Sequence, residues 1–235
     1  MSIFASLGIV ILAMLIMASL QLTPGVFALF YHYALGKFSK RKVSDLTLFF
    51  IIGAEIVNAF IFLSIYFLLG FFMLGNLGFK SDIFTYALVG VLVALAIVSS
   101  LCYYRHGAGT QLFISRRYAK GMDRLASSTN SRTDAMLLGA LAGSYELIFS
   151  LPLFITVATI TLELNIFRQP SNLIAIAFVI APILPLFIIR WQYQSGHNLA
   201  DIMRLRTKNK PFMRFLLTVS FFLIAILIIL FKVVS

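Results

Sequence analysis

Glu146 lies in an apolar stretch, GSYELIFSLPLF at residues 143–154, whose composition otherwise suits lipid. A lone carboxylate at the centre of a bilayer costs about 3 kcal/mol on insertion scales, so it is retained only when paired, protonated or hydrated. Gly139, Gly143, Glu146 and Ser150 follow the spacing i, i+4, i+7 and i+11, which places them on one helix face. Small residues there permit close contact with another helix. The pattern indicates an acid held between packed helices.

A second acid, Glu55, precedes Asn58 by three residues in FFIIGAEIVNAFIF, so the two side chains share one helix face. Counted from predicted helix starts near Asp45 and Ala135, Glu55 and Glu146 lie at similar depths, about 15 Å from one membrane surface. Two carboxyls that share a site hold a proton or a cation between them, because both cannot ionise cheaply in a low dielectric. The spacing predicts a proton or cation site; the alternative is that both acids only join helices structurally.

Prolines are expected to interrupt the helices close to these acids. Pro24, with Gly25, lies in the first apolar segment, and Pro152 lies in the fourth. A proline leaves the carbonyl four residues earlier without its usual donor, which exposes a backbone acceptor inside the membrane. We interpret these three residues as helix breaks. The candidate substrate- or ion-binding residues are Glu146, Glu55, Asn58, Gln21, Thr23 and Ser150.

The chain is too apolar for an ordinary soluble domain. Of its 235 residues 61% are hydrophobic and 11% are charged, and the mean hydropathy is +1.00. Six segments are long enough to cross ~30 Å of hydrocarbon: roughly 5–33, 46–74, 83–104, 135–161, 172–190 and 212–231. The predicted fold class is an all-α polytopic membrane protein with six transmembrane helices. The first segment is interpreted as a retained helix, because no basic residue precedes it.

The basic residues occupy alternate loops. Of the 19 Lys and Arg residues, 16 fall after the first segment, between the third and fourth, or between the fifth and sixth. By the positive-inside rule these three loops are cytoplasmic, and both termini lie outside. This distribution explains the formal charge of +11 without nucleic acid. It predicts that the partners are the lipid bilayer and anionic headgroups at the cytoplasmic face.

The longest polar stretch divides the six segments three and three. The predicted units are a first three-helix half at 1–104, a cytoplasmic loop with a short surface helix at 105–134, and a second three-helix half at 135–235. The halves would enter the membrane in opposite orientations, as in inverted-repeat transporters. MASLQLTPGVFALF and LAGSYELIFSLPLF, near the start of each half, are consistent with such a repeat.

Motifs of membrane enzymes and cofactor sites are not found in the sequence. It has no H-E-x-x-H, no haem-attachment motif, and a single cysteine, Cys102, which cannot supply a thiol pair. We therefore expect neither a catalytic site nor a cofactor. Whether a metal binds is left open.

Residues 22–63, which begin LTPGVFALF, resemble the start of the LysE-like exporter superfamily, which includes the CcdA and DsbD thiol carriers; residues 135–154 carry a weaker echo. The TPG tripeptide around Pro24 stands in place of the family's proline–glycine motif, and Val26 replaces its second proline. The paired membrane cysteines of the CcdA branch are missing. The resemblance implies a six-helix transporter of small solutes or ions, with its site near Pro24 and Glu146.

Two functions are compatible with these residues. The leading hypothesis is a secondary transporter or exporter of a small solute or cation, proton-coupled through its intramembrane carboxylates. The alternative is a non-transporting membrane assembly factor or scaffold with a basic cytoplasmic face. A polar cavity that reaches Glu55 and Glu146 would favour the transporter, and a bundle filled by Phe and Leu at that depth would favour the scaffold. Substrate, direction of transport and assembly into a homo-oligomer are left open.

Overall fold

Nine helices account for most of the residues described by the computed structural model, which are 3–20, 22–74, 81–101, 116–166 and 171–234. They are α1 Ile3–Ser19, α2 Leu22–Lys37, α3 Lys40–Leu74, α4 Ser81–Leu101, α5 Arg116–Ser128, α6 Arg132–Ile166, α7 Ser171–Ile180, α8 Ile183–Gln194 and α9 Leu199–Val234. Within those ranges there is no strand, so the all-α fold class is confirmed.

Several of these helices are long and apolar enough to cross a membrane. Five single stretches qualify: Ala5–Lys37, Lys40–Phe72, Ile83–Leu101, Arg132–Leu162 and Lys208–Leu230. Helices α7 and α8 qualify only as a pair, with a 43° bend between them. The bend lies beside Pro182 and Pro185, which cannot donate backbone hydrogen bonds. These apolar helices indicate an integral membrane protein with five candidate spans in its described part, or six when the bent pair counts as one.

The first apolar segment is divided into two helices, because α1 ends at Ser19 and α2 begins at Leu22. The Ser19 hydroxyl donates to the Ile16 carbonyl at 2.8 Å and so occupies an acceptor in the last turn of α1. Pro24 lies in the first turn of α2, where its missing N–H would have no acceptor within the helix. The expected break at Pro24 and Gly25 is therefore corrected: the interruption precedes the proline.

Helix α6 runs from Arg132 to Ile166 with Pro152 inside it, so the expected break at Pro152 is wrong. A membrane helix tolerates a proline when packing against its neighbours compensates for one missing hydrogen bond. Pro152 is buried against such neighbours. The Thr156 hydroxyl also donates to the Pro152 carbonyl at 2.7 Å, which adds a hydrogen bond close to the one that the proline lacks.

The α3 and α6 backbones are in direct contact through glycine. A Cβ added at Gly53 would collide with the Met136 carbonyl, and one added at Gly139 would collide with the Phe50 carbonyl. At Gly143 an added Cβ would lie 3.2 Å from a carbonyl oxygen of α3. The small residues on one face of α6 therefore do bring another helix close, as their spacing predicted. This contact fixes the separation of the two longest helices that contribute to the site.

One end of the bundle, which we call the basic end, carries most of the exposed basic side chains. Hydrogen bonds join α2 to α5, α3 to α6 and α3 to α8 there: Tyr33 to Asp123 at 2.8 Å, Arg132 to Asp45 at 2.7 Å, and Arg190 to Ser44 at 2.6 Å. The exposed basic residues at this end are Lys37, Lys40, Arg41, Lys42, Arg117, Lys120, Arg124, Arg132, Arg204 and Lys208. The described parts of the three basic loops therefore meet at one end of the bundle, and the part of 105–134 that the structure describes contains the helix α5.

Replacement of Gly53 by alanine tests the α3–α6 contact. Overpacking of a tight site costs about 1 to 3 kcal/mol, so Gly53→Ala should lower the apparent melting temperature of the detergent-purified protein. Gly90→Ala is the control, because nothing lies within 4 Å of a Cβ there. Alanine is favoured over glycine inside a helix by about 0.5 to 1 kcal/mol, so Gly90→Ala should be neutral or stabilising. Equal melting temperatures for both variants would contradict the close contact.

Candidate functional site

Glu146 accepts hydrogen bonds from the start of α2. Its Oε1 accepts from the backbone N–H of Leu22 at 2.7 Å and of Thr23 at 3.0 Å, and its Oε2 accepts from the Thr23 hydroxyl at 2.8 Å. The first backbone N–H groups of a helix have no carbonyl acceptor within it. A carboxylate more than 120 residues further along the chain therefore takes the part usually played by an adjacent capping side chain.

The electrostatics of this contact explain why an acid is retained in an apolar stretch. The amino terminus of a helix carries a partial positive charge, which a carboxylate neutralises. Without water, an unsatisfied backbone N–H is costly, and hydrogen bonds to a charged acceptor contribute about 1.5 to 3 kcal/mol each. Thr23 is buried and Glu146 half-buried, so this contact is partly shielded from solvent. The Glu146 carboxylate and the first backbone N–H groups of α2 therefore stabilise each other.

The second acid lies in the same small cleft. Glu55 and Asn58 of α3 line it together with Thr23, Pro24 and Glu146. Asn58 is buried, with 8% of its surface exposed, and Glu55 is half-buried. The Glu55 Oε1 atom is shielded from solvent and accepts no hydrogen bond from the residues that the structure describes. The cleft has room for about one water-sized sphere.

Most of the predicted binding residues meet in this cleft. Glu146, Glu55, Asn58 and Thr23 all line it, so the similar depth predicted for the two acids agrees with the structure. Ser150 lies further along α6; it is buried but is not among the cleft's lining residues. Gln21 falls outside the described residues, so its prediction stays a prediction.

The cleft also has walls that sequence reasoning did not assign to the site. Pro182 and Leu186, at the α7–α8 bend, face the acids, and Met17 and Leu20 close the cleft from the end of α1. The bend contains the sequence APILP at residues 181–185, but nothing in that sequence indicates which helices the bend faces. The Leu22 N–H was missed because a backbone donor leaves no side-chain signature in the sequence.

The cleft presents oxygen ligands from carboxylate, amide and hydroxyl groups. Such oxygens suit a proton or a hard cation rather than a soft metal. Among the described residues there is no group of three or more His, Cys, Asp and Glu side chains that could hold a metal ion. These residue types could therefore exchange a proton or contact a cation, and protonation of Glu146 would change the charge at the start of α2.

Comparison of the chain with protein-family models, with curated proteins and with solved structures gives no match. The resemblance to LysE-like exporters therefore depends on the motif at residues 22–63.

Substitutions of Glu146 separate its shape from its charge. Glu146→Ala leaves two backbone N–H groups without an acceptor and should lose about 1 to 3 kcal/mol for each of them. Glu146→Gln should lose much less, because the amide oxygen still accepts both N–H groups and the Thr23 hydroxyl can accept from the amide nitrogen. The measurement is the apparent melting temperature of the purified protein.

Ser144→Ala is the control for these variants, because the Ser144 hydroxyl donates only to the Ala140 carbonyl of its own helix, at 2.8 Å. It should melt close to wild type. A Glu146→Ala variant as stable as Ser144→Ala would show that the cap at α2 contributes nothing to the fold.

Proposed function

We propose that this chain is a secondary transporter that couples movement of a small solute or cation to protonation of Glu55 and Glu146. The observation that carries the proposal is the meeting of both carboxyls with the first turn of α2 in one cleft between membrane-spanning helices. Intramembrane acids that face a cavity are typical of proton and ion pathways. A protein that needed Glu146 only as a cap would not need a second acid beside it.

The interruption between α1 and α2 supports this proposal. Transporter sites are commonly built where a spanning helix is broken, because the exposed helix terminus and free backbone groups can bind an ion or substrate. Here the first span breaks between Ser19 and Leu22, at the level of the acids. The α7–α8 pair bends at the same cleft. Two of the helices around the site are thus segmented at its level.

Protonation of Glu146 would affect the position of α2 through the charge of the carboxyl. A neutral carboxyl is a weaker acceptor than a carboxylate, and it no longer compensates the partial positive charge of the α2 terminus. A proton that binds Glu146 would therefore loosen the first turn of α2. Glu55 can receive a proton or share a cation with Glu146, because its Oε1 has no hydrogen-bond donor among the described residues.

The proposal includes six spans in two three-helix halves of opposite orientation, with α7 and α8 as one broken span. It also places the basic end at the cytoplasmic surface, where its exposed Lys and Arg side chains would bind anionic lipid headgroups. The termini would then lie outside. The resemblance of residues 22–63 to LysE-like exporters agrees with this arrangement.

The second candidate is the non-transporting scaffold, and one observation favours it. Glu146 is already engaged by three donors from α2, and the cleft has room for only about one water-sized sphere. In a scaffold the acid would serve the fold alone. The basic end would then dock a partner or the lipid surface.

Proton flux distinguishes the two candidates. Ligands would first be selected by a thermal-shift screen against amino acids and mono- and divalent cation chlorides, because a bound ligand stabilises the folded state by mass action. In liposomes that contain a pH-sensitive dye, the selected ligand should drive proton flux through the wild type. Glu55→Gln and Glu146→Gln should reduce that flux to the background of protein-free liposomes.

The control for this assay is Asp201→Asn, which removes an exposed acid at the basic end and outside the cleft. All variants should be compared at equal protein content and thermal stability. Equal flux from the wild type and both glutamine variants would exclude the carboxyls from coupling. If the screen finds no stabilising ligand and the liposomes show no ligand-driven proton flux, the scaffold is favoured.

The membrane orientation has its own test in a Cys102→Ser background. Ser128→Cys, at the end of α5, should react with an impermeant thiol reagent only after the cells are permeabilised. Asn76→Cys, at a position outside the described residues, should react with the same reagent in intact cells. Reaction of both positions from one side would contradict the six-span arrangement.

A further inference from the structure

We infer that two clusters of aromatic side chains, one on each side of the cleft, are the gates that close it toward the two membrane surfaces. The inference rests on the proposed transport function. The first cluster, called the far gate, lies away from the basic end; the second, called the basic gate, lies toward it.

The far gate consists of Phe62, Phe154 and Phe178, from α3, α6 and α7. Their ring centroids are 6.2 Å apart for Phe62 and Phe154, and 5.7 Å apart for each of the other two pairs. Each of the three residues exposes at most 2% of its surface. Three mutually touching rings from three helices leave no continuous path for water between them.

The basic gate consists of Phe27, Phe30, Tyr31, Phe50 and Tyr193, from α2, α3 and α8. The Phe50 ring contacts Phe27 at 5.1 Å and Phe30 at 5.6 Å, between ring centroids. Tyr31 and Tyr193 stack face to face at 4.4 Å. The Tyr193 hydroxyl donates to the Ala28 carbonyl at 2.9 Å, which ties α8 to α2.

The spacing along α3 places the cleft between the two gates. Phe50, Ala54, Asn58 and Phe62 follow one another at intervals of four residues, so they lie along one helix face. The first belongs to the basic gate, the next two line the cleft, and the last belongs to the far gate. The two gate positions are about 18 Å apart along the helix axis.

Along the bent pair α7–α8, the chain passes the far gate, the cleft and the basic gate in that order, which is the reverse of their order along α3. From the far gate to the basic gate the residues are Phe178, Pro182, Leu186 and Tyr193, and the middle two line the cleft. The two gates and the cleft therefore recur in one order on two helical segments. A chance distribution of core aromatic residues would not require cleft-lining residues to separate them on both segments.

Each gate includes a helix segment that ends at the level of the cleft. Helix α2 carries Phe27 and Tyr31 and begins just after the interruption at Ser19. Helix α7 carries Phe178 and ends at Ile180, where the 43° bend begins. Helices α3 and α6 are continuous, and their glycine contact holds them together. Movement of α2 against this α3–α6 frame would open the basic gate, and movement of α7 would open the far gate.

Cysteine access to the cleft tests both gates without a transported substrate. Ala54→Cys in a Cys102→Ser background places a thiol in the cleft wall, and a charged, impermeant methanethiosulfonate is applied from either side of oriented vesicles. With both gates intact, modification should be slow from both sides. Phe178→Ala should accelerate it about tenfold from the far side only, which corresponds to ~1.4 kcal/mol on the barrier. Tyr193→Ala should do so from the basic side only.

Lipid-facing aromatic residues are the matched controls. Phe60 is 70% exposed on α3, and Trp191 is 66% exposed on α8. Phe60→Ala and Trp191→Ala should leave the modification rates unchanged from both sides. Phe178→Leu and Tyr193→Phe are further variants that keep most of the packing, and they should accelerate modification less than the alanine variants.

The inference would be overturned if folded gate variants did not accelerate modification of the cleft cysteine, or accelerated it equally from both sides. Unfolding of the alanine and the conservative variants alike would also overturn it, because the clusters would then serve packing alone. The proposed transport function fails in a different way. Absent ligand-driven proton flux combined with side-specific cysteine access would refute transport while leaving two barriers around the cleft.

Discussion

The structure depends on an acceptor for the backbone N–H groups at the start of α2. The interruption after Ser19 exposes these groups within an apolar candidate span, where little water is available to satisfy them. The Glu146 carboxylate accepts from Leu22 and Thr23 and so compensates for the interruption. Without that acceptor, the chain would be expected to favour a continuous first helix. The broken span and the buried acid are therefore one feature, contributed by two distant parts of the sequence.

The glycine contact between α3 and α6 determines where this acceptor lies. Gly139 and Gly143 precede Glu146 by two helical turns and one, on the same face of α6, and they bring the α6 backbone against α3. Glu55 of α3 then reaches the same cleft as Glu146. Larger residues at the glycines would separate the helices and, with them, the two carboxyls. Close backbone packing is thus what allows two acids to share one site.

Much of the fold and the site could be predicted from the sequence, because hydropathy and helical periodicity report burial directly. The apolar segments, the depth of Glu55 and Glu146 and the packing face of α6 were predicted in this way. The position of the first break was not predicted. A proline such as Pro24 is tolerated in the first turn of a helix and disrupts the interior of one, and the local sequence does not tell these two positions apart. The break expected at Pro152 failed for a related reason: the cost of a proline depends on neighbouring helices that local sequence does not reveal.

A structural role for Glu146 does not compete with a coupling role. The strength of its bonds to α2 depends on the charge of the carboxyl, so any change in that charge alters the stability of the first turn of α2. A cap made by serine or asparagine would satisfy the same N–H groups but could not change charge. Helix α2 continues from the cap to Tyr31, which stacks on Tyr193 within the basic gate. In the transport that we propose, a titratable cap would connect the proton to the helix that would have to move, which a purely structural role would not require.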